Sequence, residues 1–197
     1  SAARRDIKKK FTDEYNALFK LENFGGKEIS LTPYFESVVK AYQDASQTVV
    51  KGARGSAASL KTIQKELDLP DLTSFPNLYK KLQESFQTKG AVPKKIKVTV
   101  DDLGETYNVR NWHETLKNIR EKINDPMTTA KTKIELKKIE DSLLNTLYKH
   151  PEYGNSRFRR QYDRISNGYR DDFIKKYNQS ITKQFQFDEA GNILING

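Results

Sequence analysis

From Phe158 to Phe185 an aromatic or aliphatic residue returns every three or four positions: Phe158, Tyr162, Ile165, Tyr169, Phe173, Tyr177, Ile181 and Phe185. That spacing follows the α-helical turn and places the whole series on one face, whereas a strand would need strict alternation. The stretch predicts one long helix, or two joined at Ser166-Asn167-Gly168, because a glycine inside a helix costs about 1 kcal/mol relative to alanine.

The same period recurs along the chain. A helix over Asp6 to Leu21 puts Ile7, Phe11, Tyr15, Leu18 and Phe19 on one side and stops at Asn23, Gly25 and Gly26. Thr32 followed by Pro33 is a start signal for a helix carrying Phe35, Val38, Val39, Tyr42 and Ala45. A short helix is expected over Leu60 to Leu67, and another from Pro76 with Leu78, Leu82 and Phe86 inward. Trp112, Leu116, Ile119 and Ile123 mark the next, up to Asp125-Pro126. Ile134, Ile139, Leu143, Leu144 and Leu147 mark a long one that ends at His150-Pro151.

Two segments break this period. In KKIKVTVDDLGETYNVR, Ile96, Val98 and Val100 alternate, a turn follows over Asp101 to Gly104, and Tyr107 and Val109 resume, which reads as a β-hairpin. The tail FQFDEAGNILING alternates Phe185 with Phe187, turns, and resumes at Ile193 and Ile195. It reads as a second hairpin, an edge for another strand or subunit. The expected fold class is mainly α, a helical bundle-like body with one internal β-hairpin and a C-terminal β-hairpin. Two regions are expected, a helical 1–92 and a 93–197 of hairpin plus C-terminal helices, divided near Gly90. One merged domain is the alternative.

The chain of 197 residues carries 35 Lys and Arg against 26 Asp and Glu, a net charge of +9. A basic chain draws polyanions through its long-range field, and phosphate binding releases counterions from nucleic acid. Cysteine is absent, which excludes disulfides and thiolate metal sites. The N-terminal sequence lacks the apolar core of a secretion signal, so the expected location is cytoplasmic or virion-associated rather than secreted. No helix pairs a Trp/Phe/Leu-rich face with a purely basic one, so no membrane partner is expected.

Enzymatic signatures are missing. His113 and His150 are not in metal-ligand spacing, and no Walker loop, nucleophile elbow or H-E-x-x-H occurs. Asp101-Asp102 suits a turn, and Asp171-Asp172 suits charge pairing along a helix. No catalytic residue, metal or cofactor is therefore assigned.

The cations gather in three places. Arg4, Arg5, Lys8 and Lys9, with Lys10, form an N-terminal cluster, and Lys94 and Lys95 lie on the predicted first hairpin strand. The third cluster is Arg157, Arg159, Arg160, Arg164 and Arg170. The tyrosines threaded through it share the stripe of Phe158 and Ile165 and so belong to the core. Arg157, Arg160 and Arg164, three and four apart, share another face and form the expected contact ridge. The segment Gly52-Ala53-Arg54-Gly55 is a flexible connector whose amides and Arg54 suit a phosphate. A KH-type clamp is disfavoured, since that fold needs strands around its helix pair and only helix is predicted before the loop.

The stretch HPEYGNSRFRRQYDRISNGYRDDFIKKYN resembles a region of the terminal proteins of protein-primed bacteriophages and related mobile elements. Pro151, Tyr153, Asn167, Tyr169, Ile174 and Lys175 are its nearest equivalents. LPDLTSF is similar to a short motif of that family, and FDEAGN to the loop that carries the priming hydroxyl. Here Glu189 and Ala190 occupy that loop, and the family's Ser-Phe-Thr-Asn-Arg block is missing. The resemblance implies a tyrosine or serine in the C-terminal third that primes DNA synthesis, without marking which.

These readings lead to one expectation and two alternatives. The expectation is a non-enzymatic, viral or mobile-element protein that grips the backbone of DNA or RNA with Arg and Lys. The alternatives are a virion structural or assembly protein that docks acidic partners, or self-associates through residues 185–197, and a protein primer for DNA replication.

Overall fold

The computed structural model describes residues 2–49, 57–87, 94–187 and 193–195. The chain is mainly helical. Among the described residues the α-helices are α1 (Ala2–Lys20), α2 (Thr32–Asp44), α3 (Leu60–Glu66), α4 (Pro76–Ser85), α5 (Val100–Leu103), α6 (Val109–Asn124), α7 (Ala130–Tyr148) and α8 (Arg157–Gln184). They fall into two compact units, residues 1–24 with 155–197, and residues 25–154. Gly90 lies outside the described residues. Helices from both sides of it, α2 with α7 and α4 with α5, pack together in the larger unit.

The smaller unit is built on α1 and α8. Phe24 stacks on Phe158 at 4.8 Å, Tyr15 meets Tyr162 at 5.3 Å, and Phe11 meets Tyr169 edge-on at 5.2 Å. Numbers rise along one helix as they fall along the other, so the two run antiparallel. Aromatic pairs in such offset or edge-on geometry add about 0.5–1.5 kcal/mol beyond their burial. The Tyr15 hydroxyl and Ser166 Oγ share a hydrogen bond of 2.8 Å at the seam. α8 runs unbroken through Ser166-Asn167-Gly168. The glycine serves close approach instead, because a Cβ at Gly168 would stand 3.3 Å from the Phe11 ring.

The larger unit is organised around α7, which packs on α2 and on α6. Trp112, fully buried, donates its indole N–H to the Leu143 carbonyl at 2.8 Å, so its one polar atom is satisfied inside the core. Leu116 on α6 and Leu136, Ile139, Leu143 and Leu147 on α7 are likewise almost without exposure. Each such side chain contributes about 1.5–3 kcal/mol on burial. Ile134, expected inward, is 54% exposed. It stands five residues before Ile139, off the three-and-four rhythm, and Leu136 takes the core position.

The internal β-hairpin is not formed. Residues 94–99 form no strand, and Val100–Leu103 is a helical turn. Thr99 and Asp102 close a capping box in which each side chain accepts the other's backbone N–H, and Gly104 ends the turn at φ 72°. Of Ile96, Val98 and Val100 only Val98 is buried, and Val100 is 56% exposed. Local capping chemistry therefore prevails over a pattern with no sheet face to pack. Asn108 instead forms an isolated bridge with Glu28.

After α8, Phe185–Phe187 (β1) and Ile193–Ile195 (β2) pair antiparallel, with Phe185 opposite Ile195. The residues between them lie outside those described, and a three-residue pairing does not establish the expected C-terminal hairpin. Among the described residues no helix is long and apolar enough to cross a membrane.

Candidate nucleic-acid interface

Burial sorts the third basic cluster. Phe158 and Tyr162 are buried at 9% and 3% exposure, which turns that side of α8 toward α1. Ile165, Tyr169 and Phe173 continue the side as half-buried residues. Arg157, Arg160 and Arg164 are exposed on the opposite side. Tyr162 and Tyr169 pack against α1 residues, so stacking on nucleobases is not their arrangement here.

The arginines differ in what already holds them. Arg157 pairs with Glu22 and lies over the Phe158 ring, 5.0 Å from its centroid. Arg159, half-buried, pairs with Asp163 at 3.1 Å, one helical turn on. Arg164 donates to the neutral Gln161, and Arg170 pairs with Asp171 at 3.5 Å. Arg160 is in no ion pair among the described residues. Exposed pairs of this kind contribute about 0–1 kcal/mol, so a phosphate can displace the carboxylate at little cost.

α1 brings the N-terminal cluster into the same unit. Arg4 lies over the Phe173 ring of α8 at 5.6 Å. Arg5, Lys8 and Lys9 are exposed and form no ion pair among the described residues. Lys10 pairs with Asp172 at 3.6 Å, removing one α8 carboxylate from the balance. Over its full sequence this unit carries fourteen Lys and Arg against nine Asp and Glu, +5, and the larger unit twenty-one against seventeen, +4. The smaller unit thus holds over half of the net charge on about a third of the residues.

The remaining expected contacts lie elsewhere. Lys94 and Lys95 are exposed on the segment of the larger unit that leads into α5. The Lys94 carbonyl accepts the Gln43 side-chain amide at 3.0 Å, fixing the backbone there. Arg54 and its glycine loop lie outside the described residues. His150 has a structural task. Its Nδ1 accepts the backbone N–H groups of Glu152 and Tyr153 at 3.1 and 3.2 Å, and its ring stacks on Tyr153.

Compared with known proteins, the chain matches no family model, no curated protein and no solved structure. The similarity to terminal proteins stays a reading of short motifs.

Proposed function

We propose that this protein binds nucleic acid through its backbone phosphates, using the antiparallel α1–α8 pair. The observation that carries the reading is the exposed ridge of Arg157, Arg160 and Arg164 in the unit that also holds Arg5, Lys8 and Lys9. Arginine offers a planar fork of donors that matches phosphate oxygens, and helical spacing sets the three guanidiniums along one line. With the aromatic residues engaged between the helices, the contact is electrostatic and reads little sequence.

Titration of labelled single- and double-stranded DNA and RNA over a series of salt concentrations tests this. The expected result is a linear fall of log K with log salt, at a slope of about −0.9 per phosphate contact on duplex DNA. Absence of affinity for every one of these polymers at low salt would overturn it.

A further inference from the structure

The turn that follows α1 has an unusual backbone. Glu22 and Asn23 stand at φ 50° and 54°, and among the described residues no other non-glycine residue has a positive φ. Asparagine tolerates this left-handed region, whereas a glutamate there is strained. Helix ends that need a left-handed residue ordinarily use glycine, and here Gly25 and Gly26 come too late to serve. Strain of this kind persists where neighbouring contacts fix it, and it gathers at ligand clamps and switches.

The contacts that fix it come from α8. Phe24, without exposure, stacks on Phe158 at 4.8 Å. Two residues before it, the Glu22 carboxylate accepts from the Arg157 guanidinium across 135 positions of sequence. Arg157 in turn lies over the Phe158 ring. All four residues belong to the smaller unit. The ion pair stays open to water, with the Arg157 and Glu22 side chains 57% and 60% exposed. An exposed pair adds no more stability than a left-handed glutamate costs, so stability alone does not account for Glu22. What the turn secures is an acid on the first arginine of the ridge.

We infer that Glu22 is an internal competitor for the phosphate site, a carboxylate seated on Arg157 that nucleic acid displaces to use the whole ridge. The inference rests on the proposed phosphate contact and adds its regulation. Arg164 donates to the neutral Gln161, and Arg160 is in no ion pair among the described residues, so within the ridge the competition falls on Arg157.

Titration of labelled single- and double-stranded DNA and RNA at one low salt concentration, with the full chain and its variants, tests it. Glu22→Gln is expected to tighten binding about two- to fivefold. Asp13→Asn removes an exposed acid of the same unit that is in no ion pair among the described residues, and it controls for net charge with a smaller gain. In an Arg157→Ala background, Glu22→Gln should add no more than Asp13→Asn does. Glu22→Gly removes carboxylate and strain together, so it should tighten binding as Glu22→Gln does and keep the parent's urea midpoint. A Glu22→Gln gain no larger than that of Asp13→Asn, a gain that survives without Arg157, or a lowered midpoint in Glu22→Gly would each overturn the inference while the nucleic-acid reading stands. Absence of affinity in the parent and every variant would end that reading, and this inference with it.

Discussion

Gly168 on α8 faces Phe11 on α1, and a Cβ at this glycine would stand 3.3 Å from the ring. Phe11 is only 4% exposed and is met edge-on by Tyr169, so it can yield little. Gly168→Ala gains about 1 kcal/mol of helix propensity and loses a similar amount to crowding. Its stability is expected to stay near that of the parent. Gly168→Val adds two further carbons at the seam and is expected to cost about 1–3 kcal/mol. Urea midpoints of the two variants check the contrast. A stabilised Gly168→Val would show that the helices do not pack closely at this point.

The capping box of α5 is the local device that replaces the expected hairpin. Thr99 Oγ1 accepts the Asp102 N–H at 3.3 Å, and Asp102 Oδ2 accepts the Thr99 N–H at 2.9 Å. Asp102 also binds Lys81 at 2.7 Å, tying this turn to α4. Thr99→Ala is expected to cost about 1 kcal/mol, the usual worth of an N-cap. Thr99→Ser keeps the acceptor and is expected to recover most of it. If the serine variant is as unstable as the alanine variant, the cap is not what holds the turn.

The helices are legible in the sequence because their signal repeats. Phe158, Tyr162 and Ile165 restate the 3.6-residue period in α8, and Ile139, Leu143 and Leu147 restate it in α7. The hairpin expectation fails because the alternation of Ile96, Val98 and Val100 competes with Thr99-x-x-Asp102 followed by Gly104, a helix-turn signature of equal length. The joining of α1 to α8 is not legible, since Tyr15 and Ser166 meet across 151 positions of sequence and their two stripes carry no mark of each other. The Arg ridge follows from spacing. Which arginines are already paired does not, because Glu22 comes from beyond another helix's end.

His113 is held well below its ordinary value, at about 4, first by burial and then by the charges of Lys117, Arg120 and Arg110. The unfolded chain takes up a proton near pH 6.5. Below that value it binds more protons than the native state, so stability falls as pH falls. This contribution is complete above pH 6.5 and is lost as pH falls toward 4. Between pH 7 and pH 5 the loss is expected to be about 2 kcal/mol. Urea denaturation at these two pH values measures it, in the parent and in His113→Gln. An equal pH dependence in the variant would assign the effect to other groups.

Arg159 and Arg160 are neighbours in sequence with different surroundings, which lets one experiment separate nucleic-acid contact from structure. Arg160 is exposed and forms no ion pair among the described residues, whereas Arg159 is half-buried and paired with Asp163. Arg160→Ala is expected to lower the salt slope of binding by about one and to weaken all sequences alike. Its urea midpoint should hold, because an exposed arginine without an ion pair supports little. Arg159→Ala should do the reverse, lowering stability by up to about 1 kcal/mol while leaving the slope in place. The slope is the decisive readout, since a generally damaged protein loses affinity without changing how many counterions it displaces. If both variants keep the parent slope, the phosphates do not lie along α8.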